Sequence, residues 1–375
     1  VTAATPVALA HDYVTQRGGA ERVVAIMAEA FPGAPLYTTL YEPSATFADF
    51  ESLDIRTSVL DKVPAFRHDH RRALPFYAPV VSRMTVDADV VVASSSGWAH
   101  GMACTGRKIV YCHAPARWLY QEERYVGPAE GSLSDRLRRR ASLAALAVLG
   151  PALRSWDHRQ AATADRYLVN SSVIRRAVAD TYGIDAEVLA PPPAMSPDGP
   201  ETPVAGLTGG PFVLCVARLL PYKNVDVVIS AVQRIDGLSL AVVGRGPDEE
   251  RLRELAAADP TIHILGGVSE EELRWLYGHA AGLVAASYED FGLTPLEAAS
   301  FGKPTAALHG GGYLDTIAPG VNGLFFSEPV PSQVSEGVGR LVDTDWDEAA
   351  IRAHAESFGK ARFCDRLRDV VADVS

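Results

Sequence analysis

The sequence predicts an α/β protein of two domains, each a parallel sheet layered with helices. Its 375 residues exceed the usual size of a single core. Short apolar runs alternate with helical patterns along the chain, as strands buried on both faces require. A proline- and glycine-rich stretch interrupts this rhythm near the middle. With 47% hydrophobic and 22% charged residues, the composition is that of an ordinary folded protein.

In the first half, Val7–Ala10, Val90–Ala93, Ile109–Cys112 and Tyr167–Val169 read as buried strands followed by helices or loops. Between Ala190 and Pro211 stand Pro191, Pro192, Pro193, Pro197, Pro200, Pro203, Gly209 and Gly210, which sustain neither a helix nor a central strand. The expected division is a first domain over 1–190, a linker over 191–211 and a second domain over 212–348. Strands are expected there at Phe212–Ala217, Leu238–Val243, Ile262–Leu265, Leu283–Ala285 and Pro304–Ala307. Ser269 stands three residues before Glu272, a capping box that opens the amphipathic stretch through Leu273 and Leu276. No short-period repeat is visible.

Charge and cysteine usage exclude some classes of function. A net charge of −11 and a pI near 5.4 do not suit a protein that tracks a nucleic-acid backbone. Cys104, Cys112, Cys215 and Cys364 form no CxxC pair, so neither zinc nor a disulfide framework is expected. The segment Val1–Ala10 lacks a basic region followed by a long apolar core, and no run approaches the roughly 20 apolar residues of a membrane span. The expectation is a cytoplasmic protein. Arg136, Arg138, Arg139 and Arg140 precede the apolar stretch Ala141–Leu149, a combination that can rest on an anionic membrane surface but more commonly marks a solvated helix face beside a buried one.

The most informative segment is Glu289-Asp290-Phe291-Gly292-Leu293-Thr294-Pro295-Leu296-Glu297, between a predicted strand and a predicted helix. Strand ends are where α/β sheets bind ligands. With Thr294 as N-cap and Pro295 as first helical residue, the amides around Gly292, Leu293 and Thr294 point out of a helix N-terminus, which attracts phosphate. Glu297 then sits where a capping-box glutamate belongs, yet its carboxylate also suits a ribose diol. Glu289 precedes the turn and has no capping duty. Arg218 and Lys223 follow the strand Phe212–Ala217, and two cations there suit a diphosphate as well as they suit solvent. Gly244-Arg245-Gly246-Pro247 also follows a strand but lacks the third glycine of a dinucleotide fingerprint. In the first half, Gly18-Gly19 leads into a helix over Ala20–Phe31, and His113 follows the strand Ile109–Cys112.

Together these residues resemble glycosyltransferase family 4, the retaining enzymes of the GT-B fold, over nearly the whole chain. Glu289 and Glu297 resemble the family's E-x7-E motif, Arg218 and Lys223 its phosphate-binding pair, and Gly244 to Pro247 its GxGP turn. Asn170-Ser171-Ser172 with Arg175-Arg176 is also similar to a family segment. The stretches His11-Asp12-Tyr13, Gly18 to Arg22 and Tyr111 to Arg117 are similar to the O-antigen mannosyltransferase-like branch, which makes GDP-mannose the first donor expectation.

The resemblance implies two Rossmann-like doubly wound domains facing a central cleft, the first on the acceptor side and the second holding the nucleotide sugar. Residues 349–375 would be C-terminal helices crossing back to the first domain. Glu297 would hold the ribose, Arg218 and Lys223 the diphosphate, and Glu289 with Phe291, Gly292 and Leu293 the transferred sugar. Gly19 and His113 would close over the donor, and Gly18, Gly244, Gly246 and Thr294 belong to the same expected donor site. The family commonly has glycine directly before the arginine, where this chain has Ala217. Front-face attack would retain the anomeric configuration and require no cofactor, metal or dedicated nucleophile. The acceptor, a glycan, a lipid-linked glycan or a small molecule, would meet the loops Thr57–Arg72 and Trp118–Glu130. A sugar-nucleotide epimerase of the same architecture and a noncatalytic sugar-nucleotide-binding protein are the competing readings.

Overall fold

The computed structural model describes residues 6–120 and 149–375. The basic segment Arg136–Arg140 and part of the Trp118–Glu130 loop lie outside the described residues. The chain divides into two compact units, one comprising Val1–Ala190 with Phe363–Ser375 and the other Pro191–Arg362.

The strands of the first unit are β1 (Val7–His11), β2 (Leu36–Thr38), β3 (Ile55–Thr57), β4 (Thr85–Val86), β5 (Val90–Ser95), β6 (Ala103–Cys104), β7 (Arg107–Cys112), β8 (Arg166–Val169) and β9 (Glu187–Val188). Seven of them form one parallel sheet in the order β3-β2-β1-β5-β7-β8-β9, and β4 and β6 pair separately. The strand order reverses direction next to β1, the hallmark of doubly wound sheets. All six residues of β5 are buried. Val91 and Ala93 face one core with Ala8, Ala10 and Val110. Val90 and Val92 face the opposite core with Leu9, Ile109 and Tyr111. The alternation across the pleat explains why the strand reads as a continuous apolar run. The second of these cores also takes in Phe363, Cys364, Leu367, Val370 and Val371 from the helix Lys360–Val374.

The second unit holds β10 (Phe212–Val216), β11 (Ser239–Val243), β12 (Ile262–Gly266), β13 (Gly282–Ala285), β14 (Thr305–Leu308) and β15 (Gly323–Phe326). They form a parallel sheet in the order β12-β11-β10-β13-β14-β15. The order again reverses at its centre, between β10 and β13, the kind of switch point at which open α/β sheets bind ligands. The expected capping box is present: Ser269 Oγ accepts from the Glu272 amide at 3.1 Å and the Glu272 carboxylate accepts from the Ser269 amide at 2.7 Å. The strands β2, β3, β4, β6, β9 and β15 were not expected from the sequence. β2, β3 and β9 are only two or three residues long, too short for an alternation pattern to register. No helix among the described residues is long and apolar enough to cross a membrane.

Candidate functional site

The loop after β10 carries Arg218 and Lys223, and the loop after β13 carries Glu289. Because β10 and β13 are hydrogen-bonded neighbours, the two loops leave the sheet side by side. Asn224 adopts a left-handed conformation at φ 54° and ends the short helical turn Pro221–Lys223. Its side-chain amide donates to the Ala286 carbonyl at 2.9 Å, which ties one loop to the other. Lys223 Nζ forms an ion pair with Glu289 Oε1, and Ser287 Oγ donates to the same oxygen at 2.5 Å. The lysine side chain is only 10% exposed and the glutamate side chain 27%, so this pair is weakly screened. Arg218 is exposed, and among the described residues no hydrogen bond or ion pair engages its side chain.

The glycines of Gly244-Arg245-Gly246 support the Arg218 loop. A Cβ on Gly244 would lie 1.8 Å from the Ala217 carbonyl oxygen, and one on Gly246 would lie 2.1 Å from that of Leu219. The Leu219 amide donates to the Arg245 carbonyl at 3.0 Å across the same contact. Ala217 packs against the apolar core of the unit. Its methyl is partly buried against that core.

The helix after Glu289 corrects one expectation. It spans Leu293–Ser300 and its N-cap is Gly292, at φ 88° and ψ 73°, in place of Thr294. Glycine takes this left-handed backbone at no steric cost, and a Cβ there would meet the Tyr313 ring at 2.5 Å. The helix thus starts earlier than expected, with Thr294 and Pro295 inside its first turn. The amides of Gly292, Leu293 and Thr294 still lie where no intrahelical acceptor exists. Glu297 falls beyond the capping-box position and has no capping role. Its carboxylate instead accepts the Tyr277 hydroxyl at 2.7 Å. Tyr277 is fully buried, and its pKa is pushed well above the usual phenol value by burial and by the Glu297 charge.

The sequence reading missed a third loop, His309-Gly310-Gly311-Gly312 after β14. The Gly312 amide donates to the Glu289 carbonyl at 2.8 Å. Gly311 has φ +65°, and a Cβ on it would lie 2.4 Å from the same oxygen; one on Gly312 would lie 2.2 Å from Phe291 Cα. Bare backbone is therefore needed to seat the Glu289–Phe291 segment, and Phe291 is itself buried. A run of three glycines after a strand was the available signal.

In the first unit, Gly18 is the N-cap of the helix Gly19–Ala30. The Glu21 carboxylate folds back so that a Cβ on Gly18 would lie 2.4 Å from Oε2. Asp12, buried after β1, accepts from the amides of Ser96, Trp98 and Ala99 at 2.6, 3.1 and 2.6 Å and so fixes the turn after β5. His113 follows β7; its carbonyl accepts from the Asn170 side chain at 3.2 Å and its Nε2 lies 2.8 Å from Ser94 Oγ. Burial pushes the His113 pKa down to about 3, with His11 and Arg117 adding to the effect. Its ring is neutral at physiological pH. Among the described residues no group of three or more His, Cys, Asp or Glu is placed to hold a metal ion.

The family described as Glycosyltransferase Family 4 matches residues 17–191, and that described as Glycosyl transferases group 1 matches residues 203–359. The chain is similar to the GDP-mannose-dependent alpha-(1-6)-phosphatidylinositol monomannoside mannosyltransferase of Mycobacterium tuberculosis, at 31% identity over 44% of this chain and 46% of that protein. It is similar to the D-inositol 3-phosphate glycosyltransferase of Mycolicibacterium smegmatis at 28% identity, over 60% of this chain and 57% of that protein. The alignments thus span about half the length of these curated relatives. Among solved structures, Anabaena HepE in complex with UDP-glucose superposes with a TM-score of 0.68 at 16% identity, covering 98% of this chain and 99% of that one. The lipopolysaccharide outer core galactosyltransferase WaaB superposes with a TM-score of 0.66 at 17% identity, over 98% and 99% of the two chains. Identities this low speak for the fold alone.

Proposed function

The chain belongs to the group 1 and family 4 glycosyltransferases of the GT-B fold, and on that premise we propose that it transfers a hexose, with retention, from a nucleotide-diphosphate sugar to an acceptor hydroxyl. The observation that carries this reading is the Lys223–Glu289 pair across the ends of β10 and β13, on loops that also carry exposed Arg218 and the amides of the Gly292 helix end. A diphosphate there meets two cations and a helix N-terminus. The Glu297 carboxylate accepts the Tyr277 hydroxyl at Oε2, and a carboxylate is the kind of acceptor that a ribose diol suits.

In this reading the second unit binds the donor and the first unit receives the acceptor. The bond from the anomeric carbon to the departing phosphate oxygen breaks while the acceptor oxygen bonds to that carbon on the same face. The acceptor's proton passes to the departing phosphate oxygen. Arg218 and Lys223 stabilise the negative charge that builds on the diphosphate, so no metal is required to do so. Glu289 is shared between Lys223 and the transferred sugar. GDP-mannose is the first donor to try, supported by the branch resemblance and by the mannosyltransferase relative. Bacterial polysaccharide or glycolipid assembly is the corresponding setting. Cytoplasmic placement, with peripheral membrane contact through Arg136–Arg140, completes the proposal.

The test is a thermal-shift and calorimetric screen of nucleotide diphosphates and their sugars in the presence of chelator. A ligand at a hundred times its Kd adds about 2.7 kcal/mol to stability. GDP and GDP-mannose are expected to stabilise the protein without added metal. Stabilisation that appears only with Mg²⁺ or Mn²⁺ contradicts the metal-free reading, and none with any nucleotide contradicts the donor site.

A further inference from the structure

His11, Ser94 and His113 form a hydrogen-bonded chain at the C-terminal edge of the first sheet. His11 ends β1 and pairs in register with Ser94 of β5, whose own partner on β7 is Tyr111, two residues before His113. His11 Nδ1 lies 3.1 Å from the Ser94 carbonyl oxygen and 3.1 Å from Ser94 Oγ. Ser94 Oγ lies 2.8 Å from His113 Nε2. His11 and Ser94 are buried, and the His113 ring is packed edge-on against Tyr111 and His11.

The direction of this chain follows from what each atom can do. A carbonyl oxygen only accepts, so His11 Nδ1 must carry the hydrogen it shares with Ser94, whatever the charge on His11. Ser94 Oγ receives that same N–H. Its own hydrogen then has one acceptor in reach among the described residues, His113 Nε2. A neutral imidazole whose Nε2 accepts keeps its hydrogen on Nδ1.

We propose that His11 and Ser94 are positioning residues that hold His113 as its neutral Nδ1–H tautomer, so that a single N–H donor is presented at the strand end. Burial of the ring, which lowers its basicity, supports the neutral form. Use of this donor on a sugar hydroxyl rests on the transfer reading above; the tautomer itself does not. Two residues that touch no donor would thereby set the hydrogen-bonding sense of one that does.

The experiment is long-range proton–nitrogen NMR of the full chain labelled with ¹⁵N-histidine, recorded without ligand between pH 6 and 8. The His113 signals are identified by their loss in His113→Gln. The expected pattern has protonated Nδ1 and bare Nε2, unchanged across that range. An Nε2–H pattern, an averaged pattern or titration to imidazolium in the wild type overturns the proposal. Ser94→Ala is expected to raise the minor Nε2–H form roughly three- to tenfold, the factor that corresponds to one hydrogen bond. Ser94→Cys, which keeps a weak donor, and His11→Asn, which keeps an N–H where Nδ1 stood, are expected to restore much of the bias. An unaltered tautomer in Ser94→Ala refutes the role of Ser94. Hexose transfer is measured on the same samples, with kcat expected to fall roughly three- to tenfold in Ser94→Ala. Absence of transfer in the wild type would count against the transfer reading and leave the tautomer result standing.

Discussion

Lys223 and Glu289 stand 66 residues apart in sequence and are joined by an ion pair across the ends of the neighbouring strands β10 and β13. In the proposed function the pair brings the cation for the phosphate and the carboxylate for the sugar to one point at these strand ends. Each neutralises the other in the structure. Arg218, exposed beside them, is the cation left available.

The two cations are therefore expected to respond differently to removal. Arg218→Ala should leave the denaturation midpoint unchanged while lowering turnover on the order of 10²–10³, the usual cost of one interaction with developing charge. Lys223→Ala should lower turnover similarly and also cost about 1–3 kcal/mol of stability, because it leaves the Glu289 charge with the Ser287 hydroxyl but without its cation. Urea denaturation and steady-state transfer rates on both variants test this. Full activity in either well-folded variant would place that cation outside the donor site.

For Glu297, the correction to the helix start changes what its removal should do. Glu297→Ala is expected to weaken nucleotide-diphosphate binding and to cost about 1–3 kcal/mol, because the buried Tyr277 hydroxyl loses its acceptor. Tyr277→Phe removes the other half of the contact, and should weaken nucleotide binding less than Glu297→Ala does. Nucleotide titrations of both variants settle the point: unchanged affinity in Glu297→Ala refutes the ribose assignment.

Gly244→Ala and Gly246→Ala should each destabilise the protein by about 1–3 kcal/mol or more, since the new methyl enters the Ala217–Leu219 backbone. Turnover should fall in the surviving protein because the same loop carries Arg218. Gly210→Ala, where a Cβ meets nothing within 4 Å, is the control and should change stability by less than about 0.5 kcal/mol. Equal midpoints for the three variants would show that the loops yield freely.

The contrast between these loops shows what was legible in sequence. The apolar runs of β1, β5, β7, β10, β11 and β13 were visible because strands buried on both faces must be apolar throughout. The spacing of Glu289 and Glu297 was visible too, and so were the cations after β10. Their partners were not, because Lys223–Glu289, Glu297–Tyr277 and His113–Ser94 are each made by chain crossings that no local pattern encodes. The Gly292 cap was hidden for a different reason. Thr294-Pro295 offers a good local N-terminus, and only the Tyr313 ring packed against Gly292 shows why the helix starts earlier.

Acid should weaken the fold above the range in which carboxylates titrate. Burial lowers the pKa of His113 to about 3 and that of His70 to about 4, against 6.5 for the free side chain. From pH 6.5 down to about 4 the unfolded chain therefore binds protons that the folded chain does not, so stability falls as pH falls. Glu21 acts in the opposite sense, since burial raises its pKa and its effect grows above pH 4.5. Urea midpoints between pH 7 and 4 should decline, and His113→Gln should flatten the decline. A slope unaltered by that variant would mean that His113 titrates normally in the folded state.

The decisive measurement follows GDP-mannose by NMR when it is incubated with the protein in chelator and without acceptor, in the wild type and in Glu289→Ala. A transferase with its donor seated at the Lys223–Glu289 pair should slowly release GDP and mannose by transfer to water, with the α-anomer formed first. Glu289→Ala should slow that release sharply while its affinity for GDP stays close to that of the wild type. Accumulation of an epimer still attached to GDP, or release at an equal rate in both proteins, would contradict a transfer site built around this pair.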